Sequence, residues 1–275
     1  MRSEVKVRLN ITSEAKSNFM IVLSCTIKNR IETEDDIVRI GDIVRLATFE
    51  YIDSGKELIP IIINKLRGEK NIIKISECVR LITLGNEKIA EGLIPVLKDK
   101  IEGEKDIAKV GEFMINLKFG SEKITRKLVE SMDIEKIRAE MNTEKDVIIS
   151  GFRVWVIAIG SQQVAEELIP SLNDKLKTEP NFENIIECVR MVAYGNDEIA
   201  DGLIPVVKDR MEHEPDIGKI CWGIRRISEG ILNAASKIIE QINPNNAANP
   251  DVKKGIIELK KGEFGMRFHL MREIN

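Results

Sequence analysis

Two histidines, His213 and His269, stand in a chain of 275 residues. That is too few for a multi-histidine metal centre, and neither has a nucleophile beside it. The four cysteines, Cys25, Cys78, Cys188 and Cys221, are far apart and form no CxxC pair. Closely spaced zinc ligands are therefore missing, and four cysteines at this length make no disulfide scaffold. They read as small buried residues of a reducing compartment. No GxxxxGK[ST] phosphate loop occurs, so pieces such as GKEL and GEKN read as turns. No catalytic residue, metal or cofactor is expected. What remains is a set of carboxylates in columns, a ladder of opposite charges and one apolar helix.

Charge and composition narrow the partners. Lys and Arg number 42 against 45 Asp and Glu, a net charge of −3, which is no footprint of a dedicated nucleic-acid binder. With 43% hydrophobic and 32% charged residues the chain has material for both core and surface, which excludes disorder and a collagen-like chain. The opening MRSEVKVRLN carries charges where a signal peptide needs an apolar run. The longest nearly uncharged stretch, Val147–Gly160, is too short to span a bilayer and contains Arg153. The expectation is a cytoplasmic protein without membrane attachment.

The elements that must position any site are visible as a repeat. Leu-Ile-Pro recurs at 58–60, 93–95, 168–170 and 203–205, with gaps of 35, 75 and 35 residues, the middle gap being 35 plus 40. Pro180, Pro215 and Pro250 form a second column, again 35 apart. Further columns share the register: Glu34, Glu69, Glu104, Glu144, Glu179 and Glu214; two residues on, Asp36, Asn71, Asp106, Asp146, Asn181, Asp216 and Asp251. With Thr33, Gly68, Gly103, Thr143, Thr178 and His213 just before the Glu, the pattern predicts a repeated helix start. Thr or Gly would be the N-cap, Glu would open the first turn, and Asp or Asn at the third position, or Pro at the second, would follow. Carboxylates at a helix N-terminus are accounted for by the dipole without a metal.

The helix that follows places Ile72, Ile75, Val79 and Ile82, or in the sixth copy Ile217, Ile220, Ile224 and Ile227, on one stripe. Gly85, Gly120, Gly160, Gly195 and Gly230 are expected to end it as left-handed caps. A short helix (86–91) and a proline-opened one (93–101) complete the unit. Such a unit cannot bury its stripe alone, so the units must stack. About seven are counted, the first losing register before Ile31 and the last ragged around 244–249.

GNEKIAEGLIPVLKDKI at 85–101 and GNDEIADGLIPVVKDRM at 195–211 resemble armadillo repeats, with HEAT repeats the related alternative. The resemblance covers roughly 31–260. It implies an all-α, right-handed α-solenoid: one domain over 1–275, with capping helices in 1–30, repeats in 31–260 and a tail in 261–275. The period of 35 is shorter than the roughly 40–47 of those families. It further implies a concave groove lined by the third helices, in which a protein or peptide binds. In armadillo proteins a Trp and an Asn on successive third helices clamp extended peptides. The Trp column here reads Asp42, Glu77, Glu112, Phe152, Glu187 and Trp222; the Asn column reads Leu46, Leu81, Asn116, Val156, Met191 and Arg226. Only Trp222 and Asn116 match, and they are not neighbours, so that clamp is not carried over. Some HEAT-like proteins are DNA glycosylases working from a cationic face; mixed signs in these columns disfavour nucleic acid.

Two features of the third helices remain as candidate partner-binding sites. Asp42 with Arg45, Glu77 with Arg80 and Glu187 with Arg190 are each three residues apart, hence on one face, and Arg225 continues the column. This is either a polar recognition strip or a set of solvated ion pairs. The fourth copy, VIISGFRVWVIAI, carries Ile149, Phe152 and Trp155 where its neighbours are charged, with Arg153 beside them and Phe119 on the preceding helix directed to the same face. A helix apolar all round must be covered by its own chain, by a foreign partner or by a second copy in a homodimer.

Overall fold

The computed structural model describes residues 25–50, 57–230, 232–247 and 250–261. Most of the segment expected to cap the N-terminus and nearly all of the expected tail, with His269, lie outside the described residues. Among those described, every regular element is helical. Six helices of 14 residues each are the third helices of the sequence register: α1 (Ile37–Glu50), α3 (Ile72–Gly85), α5 (Ile107–Gly120), α8 (Val147–Gly160), α11 (Phe182–Gly195) and α14 (Ile217–Gly230). Each packs on the next in chain order. Between them run α2 (Ile59–Gly68), α4 (Glu87–Gly103), α6 (Glu122–Glu130), α7 (Ile134–Thr143), α9 (Gln162–Glu166), α10 (Ile169–Thr178), α12 (Asp197–Asp201), α13 (Ile204–His213) and α15 (Leu232–Gln241). A short 3-10 turn, Pro244–Asn246, leads to α16 (Pro250–Lys261). These connecting helices form a second row, α2 on α4, α4 on α6, α7 on α10, α10 on α13 and α13 on α15.

The core follows the expected stripe. Ile72, Ile75, Val79 and Ile82 are buried, as are Ile220, Ile224 and Ile227, with Ile217 half-buried. Because each stripe is satisfied by the neighbouring unit, the same four positions form a continuous core from unit to unit.

Three expectations about the joints are corrected. The N-cap is the Asp or Asn column: Asn71, Asp106 and Asp146 accept from backbone N–H groups two residues on, at Ile73, Ala108 and Ile148. Gly68, Gly103, Thr143, Thr178 and His213 instead end the preceding helix, and the Glu between, such as Glu104, accepts from the N–H of the cap, Asp106. Pro180 therefore precedes the cap Asn181 and is not inside the helix. The short Asp and Asn side chains fit this role because they reach a backbone N–H only two residues away. Second, no described glycine has a positive φ. The helix-ending glycine is followed by one extended residue, such as Asn86 (φ −158°, ψ 101°), which ends one helix and caps the next. A Cβ on Gly85 would lie 2.7 Å from the Cα of Arg45, so glycine is required there for close approach, not for backbone handedness. Third, the expected short helix followed by a proline-opened one is present as α9 with α10 and as α12 with α13, but at 86–101 the two are one, α4, with Pro95 inside. Proline removes one hydrogen bond, while buried Ile89, Leu93 and Leu97 hold both halves in line.

A recurring contact ties one unit to the next. Lys65 Nζ donates to the carbonyl of Glu34 at 2.7 Å, and Lys100 Nζ to those of Arg67 and Glu69 at 2.9 and 2.5 Å. Lys175 Nζ donates to the carbonyl of Glu144, and Arg210 Nη2 to that of Glu179 at 2.9 Å. These four cations share one column, and each meets free carbonyls at the C-terminal end of a helix, where the dipole favours positive charge.

Candidate functional site

α8 is covered largely by its own chain. Val147, Ser150, Gly151, Val154, Val156, Ile157, Ala158 and Ile159 are buried, and α5, α6, α7, α9, α10 and α11 all pack on it. Trp155 is half-buried, wedged between neighbours on both sides. A Cβ on Gly111 of α5 would fall 2.1 Å from its Cζ3, and one on Gly195 of α11 would fall 2.7 Å from its Cδ1. Phe152 meets the indole edge-on, with centroids 5.7 Å apart and planes at 84°.

Beside Trp155 the C-terminal halves of α5, α8 and α11 enclose a cavity of about 610 Å³. Its apolar wall is Ile115, Phe119, Trp155, Ile159, Met191 and Tyr194, with Lys118, Glu122 and Arg190 also in the lining. Phe119 is 77% and Tyr194 54% exposed, although a complete core lies beneath them. Leu84 of α3, 51% exposed, stands in the same column. On α8, between them, the same column holds Ile159, which is buried. Large apolar side chains left in water at the equivalent positions of α3, α5 and α11 are a surface that can lose solvent to a partner. Of the residues expected from the sequence, Phe119, Trp155 and Arg190 meet here. Of the apolar wall, Ile115, Ile159, Met191 and Tyr194 were missed. The signal for Tyr194 was present: Leu84, Phe119, Ile159 and Tyr194 each stand immediately before a helix-ending glycine.

The remaining expected residues are distributed differently. Asn116 Nδ2 donates to Ser76 Oγ at 3.1 Å and joins α5 to α3. Trp222 is half-buried on α14 beside Glu183 and Lys219, away from the aromatic cavity. Ile149 and Arg153 face a second cavity, among α4, α5, α7 and α8. Phe152 shares no wall with Phe119 and touches the site through Trp155.

The charge ladder exists as ion pairs. Arg45 and Asp42 stand 2.7 Å apart, and Arg80 and Glu77 3.9 Å apart. The C-terminal part is a continuous network. Arg190 Nε donates to Glu187 Oε2 at 2.8 Å, and Arg226 Nε to Glu187 Oε1 at 2.7 Å. Arg226 Nη1 donates to Glu229 Oε2 at 2.5 Å. The Arg190 guanidinium also lies over the Tyr194 ring, 5.4 Å from its centroid, so the network and the aromatic cavity share one residue. Burial alone would raise the Glu187 carboxyl, but hydrogen bonds from Arg226 and Arg190 outweigh it and hold it below its ordinary 4.5. A carboxyl depressed on folding contributes stability that is present above its unfolded value and is lost as pH falls through the folded one. We expect Glu187→Gln to be less stable than the wild type at pH 7, with the gap closing below about pH 4.5. Urea unfolding of both proteins between pH 3 and 7 checks this; a constant gap would count against a charge effect.

Of the four cysteines expected to be buried, Cys78, Cys188 and Cys221 are, whereas Cys25 is exposed. Burial pushes Cys78 up to about 12 and raises Cys188 and Cys221 as well, away from the thiolate form a nucleophile needs. Among the described residues no group of three or more His, Cys, Asp or Glu is placed to hold a metal, and no helix is long and apolar enough to cross a membrane.

No family model matches this chain, and no curated protein does. Among solved structures, a chain from "Computational Design of Self-Assembling Cyclic Protein Homooligomers" aligns over 95% of this chain and 98% of its own, at 13% identity and a TM-score of 0.23. A similarity at that level bears on neither fold nor function. What the structure itself establishes, among the described residues, is an all-helical fold whose 14-residue helices pack in chain order and expose an aromatic cavity at the ends of α5, α8 and α11.

Proposed function

We propose that the chain is a right-handed α-solenoid of about seven armadillo- or HEAT-like repeats, acting as a non-catalytic scaffold for a protein or peptide on its third-helix face. The observation that carries this reading is the set of exposed Leu84, Phe119 and Tyr194 in one column over a finished core. A packed interior does not need these side chains, whereas a partner's apolar anchor does. The 610 Å³ cavity beside Trp155 has the size of a pocket for one large side chain and its neighbours. Arg190, its rim cation, is already aligned by Glu187, so little ordering is lost when a partner docks. The partner in this reading is an extended segment with an aromatic or branched aliphatic anchor. The cytoplasm is its proposed location.

Selection of peptides from a random displayed library on the full chain tests the reading. Binders with a common apolar anchor are expected. They should weaken about thirtyfold or more on Phe119→Glu and on Tyr194→Glu, while far-ultraviolet circular dichroism stays unchanged. Binders indifferent to both substitutions, or no binder, would sink the proposal. Sedimentation equilibrium on the same proteins separates the self-association alternative: a concentration-dependent mass that Phe119→Glu abolishes would make a second copy the occupant.

A further inference from the structure

The cation column that ties the units together changes sign once. Lys65, Lys100, Lys175 and Arg210 each reach carbonyls at the end of a helix in the preceding unit. The five-residue lengthening before Met141 puts Glu140 at the matching position on α7. Glu140 has no N–H to give the carbonyls of Glu102 and Glu104, which correspond to those of Arg67 and Glu69 that Lys100 holds. It accepts instead from Arg153 Nη1, at 2.7 Å. Arg153 is itself out of pattern, since its column reads Cys78, Phe113 and Cys188 in other units, all of them buried.

At this place the second cavity opens, about 400 Å³ among α4, α5, α7 and α8. Its floor is apolar, with Ile101, Ile107, Val110, Ile137 and Ile149. Its charged lining is five carboxylates, on Glu102, Glu104, Asp133, Glu140 and Glu144, against three cations, on Lys105, Lys136 and Arg153. Arg153 is matched by Glu140, and Lys136 lies 3.9 Å from Glu102, which leaves Glu104, Asp133 and Glu144 against Lys105, a formal excess of negative charge. One oxygen of each of these three carboxylates already accepts from backbone N–H groups at a helix start, and the other is left for a ligand. The C-terminal end of α4 adds the negative pole of a helix dipole to the same wall. None of the apolar and aromatic residues around Trp155 that form the partner face lines this cavity.

We propose that this cavity is a binding site for a small aliphatic amine, whose ammonium takes the position that Lys100 Nζ occupies one unit earlier and whose alkyl chain lies on Ile137 and Ile149. The ligand chemistry is the one the chain uses at three of its other joints, those of Lys65, Lys100 and Lys175: a primary ammonium on a flexible apolar stem, set against helix-end carbonyls. Filling the cavity joins α4 to α7 across the one lengthened unit, so occupancy stiffens the stack there. This site is independent of the partner face and stands if that reading fails.

The test titrates the full chain with hexylamine at pH 7.5, with hexan-1-ol and hexanoate as controls at matched ionic strength. Isoleucine methyl resonances and the thermal midpoint are followed. Saturable shifts of the Ile137 and Ile149 methyls by the amine are expected, at least about tenfold tighter than for either control, with a rise in midpoint. Glu140→Gln, at a side chain 43% exposed, should retain the fold and weaken the amine by about tenfold, since it removes one carboxylate and frees the Arg153 charge. Ile137→Trp should fill the cavity and abolish the shifts. Hexanoate binding as tightly as the amine would overturn the proposal by making Arg153 the recognition group. So would shifts that miss Ile137 and Ile149, or amine binding unchanged in Glu140→Gln.

Discussion

Gly85→Ala is expected to destabilise the protein by about 2–3 kcal/mol, although the same change in an open helix gains about 1 kcal/mol. The difference comes from what the methyl would meet. At Gly85 the added carbon lies 2.7 Å from Arg45 Cα and 2.8 Å from the Arg45 carbonyl oxygen, with Thr48 Oγ1 at 3.0 Å. Two of these are backbone atoms of α1, which cannot rotate away, and Thr48 is held by its bond to the Val44 carbonyl at 2.7 Å. The helices must separate, and close packing is lost along the α1–α3 contact. The opposite end of that contact is closed in the same way, a Cβ on Gly41 lying 2.6 Å from the Cys78 carbonyl oxygen. Gly68→Ala is the control. It also ends a helix, but nothing stands within 4 Å of its added carbon, so it should be neutral or slightly stabilising. Denaturant unfolding of both variants decides the matter. Equal effects would remove the close-approach explanation of the helix-ending glycines.

Trp155→Ala is expected to cost about 3 kcal/mol, against less than about 0.5 kcal/mol for Phe119→Ala, although both are large aromatics of the same cavity. Trp155 fills the space above Gly111 and Gly195, and truncation leaves a void spanning α5, α8 and α11. Phe119 at 77% exposure leaves no void when removed. In a peptide-binding assay the order should reverse: Phe119→Ala should weaken binding in a protein of wild-type stability. A Phe119 variant that unfolds with Trp155 would place both in the core and remove the exposed anchor site.

Much of the architecture was legible in the sequence because repetition reports packing. A residue type that recurs every 35 positions marks one environment met again and again, so Ile75, Val79 and Ile82 announced the core face. The opposite-charge ladder was equally legible, since residues three apart share a helix face in any helix. The caps were seen but displaced by one turn. Glu, Asp and Thr all suit helix starts, and only the hydrogen bonds of Asn71, Asp106 and Asp146 show which side chain reaches the N–H groups.

Tertiary structure alone decided what covers α8. Its composition called for burial on all sides, but composition carries no information about which neighbours supply it. The glycines at 111 and 195 were read as punctuation or not at all, and they are the hollows into which Trp155 fits. The two sides of α8 were likewise inseparable in one dimension. Ile149 and Arg153 fall on one cavity, Trp155 and Ile159 on another. Helical periodicity fixes only the angles between side chains on α8; which angle meets a gap and which meets a wall depends on where α4, α7 and α11 are placed by contacts distant in sequence.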